Sequence, residues 1–187
     1  MGERKIKGSM LVDFVRMIRA NKDKNWNEYL KPEDWEVINQ RILPSVWYPV
    51  EVFMRCGWAV FKVIAQGNLD IARMGGRMQG KNLFENVYKG LVANQDPQTA
   101  VNRFVVVYNQ FFNFSSLRFE EVDKNHVKVH NDYDESHNHP GMVPYCHNLM
   151  GILETLIEKS GGKNVKIELK AKQWEGARTT VMDVTWE

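Results

Sequence analysis

The apolar positions of this chain fall into two regimes. Up to Phe112 they recur at helical spacing, and from Leu117 onward they mostly alternate. Leu11, Phe14, Val15 and Ile18 predict a first helix over 10–20. Asn25-Trp26 predicts a second, short helix with Asn25 as its cap, and Lys31-Pro32-Glu33-Asp34 opens a third that reaches about Ile42. Pro44 stops that third helix, because proline lacks an amide donor and restricts the residue before it. Leu43–Pro49 reads as a stiff aromatic connector. Pro49 suits the first turn of a helix running to about Gln66 and ending at Gly67. A further helical pattern covers 69–92 and is weakened by Gly75, Gly76 and Gly80. Asp96 and Pro97 then cap and start a helix striped by Val101, Phe104, Val105, Tyr108, Phe111 and Phe112.

Leu117, Phe119 and Val122, then Val127 and Val129, predict two short strands around Asp123-Lys124-Asn125. A polar loop over 131–141 and a helix over 144–159 follow. Val165, Ile167 and Leu169 alternate, as do Met182, Val184 and Trp186, so a second strand pair is expected. Strand–strand–helix–strand–strand after a helical half predicts an α+β fold, a helical layer packed on a small four-stranded antiparallel sheet. We expect a single domain over 1–187, helical over about 8–114 and sheet-containing over about 115–187.

The helix after Pro49 is apolar on nearly every side, through Val50, Phe53, Met54, Trp58, Val60, Phe61 and Ile64. Such a helix is central to a core or an interface. Trp47, Tyr48, Phe53, Met54, Trp58 and Phe61 are therefore the candidate lining of a ligand pocket or a dimer face. A sheet of four strands is too small to bury this helix all round. A cavity or a second subunit must complete the burial.

Charge narrows the possibilities further. The chain has 25 basic and 23 acidic residues, a balance that argues against a nucleic-acid partner. No apolar run reaches the roughly 20 residues of a membrane span. The first ten residues lack the apolar stretch of a signal peptide, so the expected location is cytoplasmic. Two cysteines make no disulfide framework, and each is expected to be a small buried hydrophobe.

Candidate chemistry is sparse. His137-Asn138-His139 followed by Cys146 offers imidazoles and a thiol, the ligand types of zinc. Pro140 biases His139 toward an extended backbone, where His137 and His139 share a face. His137, His139 and Cys146 are the candidate ligands; the alternative is a solvated loop with Cys146 buried at a helix start. Haem would need an axial histidine such as His126, His130 or His147, and surface or strand-end roles are expected for these instead. The glycines and basic residues of 73–81 could cradle phosphate, but no strand precedes them, and close helix packing is the better reading. Asp132, Asp134 and Glu135 lack the glycine and the final glutamate of a calcium loop. Lys166, Lys170, Lys172 and Arg178 around Trp174 are diluted by Glu168, Glu175 and Asp183, so a solvated strand face is expected. No nucleophile–base motif occurs, so neither catalysis nor a cofactor is expected.

Four stretches carry a resemblance. They are Lys7-Gly8-Ser9, Leu43-Pro44-Ser45-Val46-Trp47-Tyr48-Pro49, Leu153-Glu154 through Ser160-Gly161-Gly162, and the closing hairpin ending Val184-Thr185-Trp186. The pattern resembles a paralogous family abundant in myxobacteria and other deltaproteobacteria. That family is in turn similar to the 4-vinyl-reductase-type small-molecule-binding domains, related in fold to TRAPP tethering subunits and discussed alongside haem-NO-binding domains. The resemblance implies an α+β fold, an apolar pocket in some relatives, frequent dimers and sensory or regulatory work. Relatives often carry two cysteines in the last hairpin. Lys172 and Thr180 stand at those positions here, so no thiol or metal chemistry carries over.

The expectation is thus a non-catalytic sensory or regulatory domain, a homodimer, binding a small apolar ligand or a partner protein. The alternatives are an interaction adaptor without ligand and a small metal- or haem-binding protein.

Overall fold

A computed structural model describes residues 2–114, 116–132 and 139–187. Its elements are β1 (Lys5–Lys7), α1 (Gly8–Ala20), α2 (Pro32–Ile38), β2 (Trp47–Pro49), α3 (Val50–Val63), α4 (Leu69–Asn82), α5 (Pro97–Asn109), β3 (Leu117–Asp123), β4 (His126–Asn131), α6 (Met142–Lys159), β5 (Lys166–Ala171) and β6 (Thr180–Thr185). The fold is α+β, with helices packed on a four-stranded antiparallel sheet of order β3-β4-β6-β5. Alternation does what the sequence pattern requires. Val127 pairs with Val184 and Val129 with Met182, which puts all four in the buried core alongside Leu149, Leu153 and Leu156 of α6. The intervening residues Lys128 and His130 point the other way and meet Glu120 on β3.

Three segments differ from expectation. Asn25-Trp26 opens no helix. Trp26 is buried, its indole donates to the Asn21 carbonyl at 2.7 Å, and a single turn closes through Leu30. The stretch before Pro32 is too short to repay helix nucleation. α2 ends at Ile38 rather than near Ile42, because the Arg19 guanidinium takes the Ile38 carbonyl at 2.7 Å and also the Gln40 carbonyl. The connector before Pro49 is extended and pairs as β2 with β1, Ile6 opposite Tyr48. After a turn closed by the Val46 amide on the Leu43 carbonyl, Tyr48 stands directly before Pro49 and so favours extended backbone, which makes that pairing available.

Two features lock the helical layer. Asp34, fully buried, receives three bonds from Arg55, at 2.8 and 3.1 Å from Nε and 2.7 Å from Nη2, and so ties α2 to α3. α4 and α6 touch backbone to backbone. A β-carbon on Gly76 would sit 1.9 Å from the Asn148 carbonyl oxygen, and one on Gly151 would sit 2.0 Å from that of Arg73. Gly76 and Gly80, two of the three glycines of 73–81, therefore serve close packing. Their basic neighbours are committed to α6: Arg73 pairs with the buried Glu154, and Arg77 bridges Glu154 at 3.0 Å and Glu158 at 2.7 Å.

Neighbouring glycines should respond in opposite ways. Gly76→Ala should destabilise the fold by about 1–3 kcal/mol, because backbone cannot yield as a side chain does. At Gly75 an added β-carbon meets nothing nearer than Asn148 Nδ2 at 3.7 Å, so Gly75→Ala should be neutral or stabilising by up to about 1 kcal/mol. Urea unfolding checks both; equal losses at the two sites would contradict the seam.

Candidate ligand-binding site

A cavity of about 460 Å³ lies where α1, α3, α5 and α6 face one another, with α4 along one wall. The helices present large side chains that meet edge to edge without filling the centre. Phe14 of α1 sits 5.5 Å from Phe53 of α3, and Phe53 lies edge-on to Tyr145 of α6 at 6.2 Å. The Tyr145 hydroxyl is 3.0 Å from that of Tyr108 on α5, which packs on Phe104 at 5.2 Å. Four helices are thus joined by one aromatic chain around the space. Met10, Met17 and Met54 add flexible thioethers to the walls.

The polar groups are few. Besides the tyrosines they include Ser9, Gln79, Asn82 and Asn148, and Asp13 is the one charged residue among the described lining residues. None of those residues is His, Cys, Lys or Arg. The arginines lie elsewhere: Arg16, Arg19 and Arg41 border a separate hollow beside α1. Burial pushes the Tyr108 phenol well above its usual range, and the bond to Tyr145 offsets this only in part. At the rim Ile64, Ile71 and Val87 are exposed, so the entrance is apolar too.

The residues singled out in the sequence divide. Phe53, Met54 and Phe61 line the cavity. Trp58 is on another side of α3, stacked on Phe61 at 5.6 Å beneath the Lys62 ammonium. Tyr48 is half-buried, and its hydroxyl accepts from the Leu43 amide at 3.0 Å. Trp47 is 41% exposed, with Lys7 over its ring. Phe14 and Met17 of α1, Phe104 and Tyr108 of α5, and Tyr145 of α6 were not singled out as lining. The stripes on α1 and α5 were legible, but a stripe does not say whether it meets a neighbour or a void.

The metal candidates separate as well. His137 lies outside the described residues. His139 accepts from the Gly141 amide at 3.0 Å beside α3. Cys146 is fully buried and meets Asn131 at 3.5 Å; burial pushes its thiol up to about 12, away from the thiolate a metal requires. Among the described residues no group of three His, Cys, Asp or Glu side chains could hold a metal ion. The haem candidates stand apart from the cavity. His126 contacts Asp183 at 2.7 Å and His130 contacts Glu120 at 2.6 Å on the sheet, and His147 is half-buried on α6.

Solved structures similar in fold to this chain include H-NOX proteins. One from S. oneidensis, in the Fe(II)NO ligation state, superposes with a TM-score of 0.62 at 12% identity, over 97% of this chain and 99% of that one. The chain has the H-NOX fold. The unliganded Fe(II) H-NOX protein from K. algicida has a TM-score of 0.60 at 12% identity, covering 97% of both chains. A structure described as probing haem distortion in the H-NOX family has 0.59 at 13% identity, over 97% and 95%. No family model matches the chain, and no curated protein does. These neighbours overturn the resemblance to 4-vinyl-reductase and TRAPP-type domains. The four short stretches that carried that resemblance do not discriminate between the two folds.

Two measurements follow from the burial of these groups. Cys56 and Cys146 are both buried, with thiols pushed up to about 12, so neither should react with a thiol reagent near neutral pH until the chain is unfolded. Rapid native-state labelling of either would contradict the burial. Burial, aided by Arg55 at His139 and Arg73 at His147, holds both imidazoles below their ordinary value near 6.5. The unfolded chain therefore binds protons first. Stability should be full above about pH 6.5 and fall as the pH drops through that value. His139→Asn should flatten the fall in a pH series of urea midpoints; an unchanged slope would remove His139 from the account.

Proposed function

We propose that the chain is a non-catalytic sensory or regulatory domain, one unit over 1–187, that binds a small ligand in the cavity between α1, α3, α5 and α6. The observation that carries this reading is the aromatic-walled space itself. Its volume lies within the roughly 300–1,000 Å³ of small-molecule sites, and its apolar lining with a few polar groups is typical of them. The shared fold supports it, since H-NOX domains are haem-binding sensor domains.

The comparisons favour a second reading, the haem- or metal-binding protein, over an apolar organic ligand. Its fit can be tested on the lining. Haem iron is held in proteins by histidine, by cysteine thiolate, by methionine with histidine, or by tyrosine. The described lining residues include no His or Cys; their phenols are those of Tyr88, Tyr108 and Tyr145, of which Tyr108 is held neutral by burial and hydrogen-bonded to Tyr145. Haem also carries two carboxylates, and no Lys or Arg among those residues would receive them. The fold favours haem; the described lining does not fit it.

A homodimer is proposed on Leu43, Val46 and Trp47, which stay exposed on one connector where a second copy would bury them. A cytoplasmic location is proposed as well; among the described residues no helix is long and apolar enough to cross a membrane.

A neutral fluorescent probe, Nile red, should bind saturably at one per chain. Val60→Trp and Ala72→Phe, which fill the cavity from different helices, should each weaken it about tenfold or more while circular dichroism shows the chain folded. A folded wild-type protein that never saturates would overturn the ligand reading and leave an adaptor for a partner protein.

A further inference from the structure

We infer that the cavity selects a neutral, iron-free apolar molecule carrying at most a hydroxyl or carbonyl, and discriminates against carboxylates of the same shape. The inference rests on the proposed ligand-binding role of the cavity and adds the chemical class. Its basis is an imbalance in the walls. An anion moved into an apolar enclosure loses its hydration and needs a cation or several donors in exchange. Among the described residues the lining offers no cation, and its one charged member, Asp13 at the mouth, is itself acidic. Of the basic residues of the adjoining helix α4, Arg73 and Arg77 are already committed to Glu154 and Glu158, and Lys81 is exposed and not among the lining residues.

What the interior does offer suits a neutral group. Tyr108 and Tyr145 hold their hydroxyls 3.0 Å apart, and a hydroxyl can donate or accept. Asn148 brings an amide from α6 to the same lining. Around them, Phe14, Phe53, Phe104 and Phe111 present ring faces and edges to a flat or unsaturated ligand. A ketone or alcohol keeps its single polar atom near these groups and buries the rest. A carboxylate must bury a full charge against rings.

The experiment compares two molecules of nearly one shape, 2-acetylnaphthalene and 2-naphthoate, by displacement of Nile red near neutral pH, with haemin titrated separately. The ketone should bind about tenfold or more tightly than the carboxylate. Val87→Lys, which places a cation on the exposed rim, should strengthen naphthoate several-fold and leave the ketone unchanged. Haemin should produce no saturable shift of its absorbance band. Equal binding of ketone and carboxylate would overturn the charge selection while leaving the cavity a ligand site. Failure of Nile red and the ketone alike would overturn both readings. A haemin complex that saturates at one per chain, and is lost in Ala72→Phe, would overturn the iron-free assignment.

Discussion

The backbone contact between α4 and α6 is the constraint on which the rest depends. Gly76 and Gly151 let the two helices approach until carbonyl oxygens occupy the space where β-carbons would stand. Arg73 and Arg77 then clamp the pair through the buried Glu154. This seam runs beside the cavity, for Gly75 and Asn148 belong to both. With α6 held against α4 on one side and the sheet on another, it cannot swing inward to close the space against α1 and α3. The void is a consequence of rigid packing around it, since side chains of fixed size meet ring to ring before they reach the centre.

The fold is one seen in Fe(II) H-NOX proteins, and the chemistry of the cavity is set by the side chains of this chain that face it. A fold sets the size and position of a cavity; the residues facing it decide what enters. Here the facing residues are rings, thioethers and a few amides and hydroxyls, and Arg73 and Arg77 of α4 are held in ion pairs with Glu154 and Glu158. The same partition keeps Cys146 and Tyr108 as protonated, hydrogen-bonding core groups without nucleophilic character.

Much of the architecture was legible beforehand because it rests on local patterning. The helix starts at Pro32 and Pro97 and the two strand pairs follow from spacing and backbone chemistry, whereas α3 stops at Val63, short of the expected end near Gln66, and Gly67 takes its positive φ in the turn beyond it. The pairing of β1 with β2 was not legible, because it joins segments about forty residues apart through backbone bonds that no side-chain pattern records. The end of α2 was missed for a related reason, since Arg19 reaches it from another helix. At the site, the apolar excess of α3 drew attention to Phe53, Met54 and Phe61, which line the cavity. It also drew in Trp47, Tyr48 and Trp58, whose rings pack elsewhere. Which of two apolar faces meets a void is a property of the assembled helices, so Phe14, Tyr108 and Tyr145 emerged only from the fold.

The most direct test of a neutral, iron-free ligand is native mass spectrometry of the protein purified from cells without added ligand, combined with iron determination on the same sample. The account predicts an adduct of small organic mass, released on unfolding, and no stoichiometric iron. One haem per chain would contradict it.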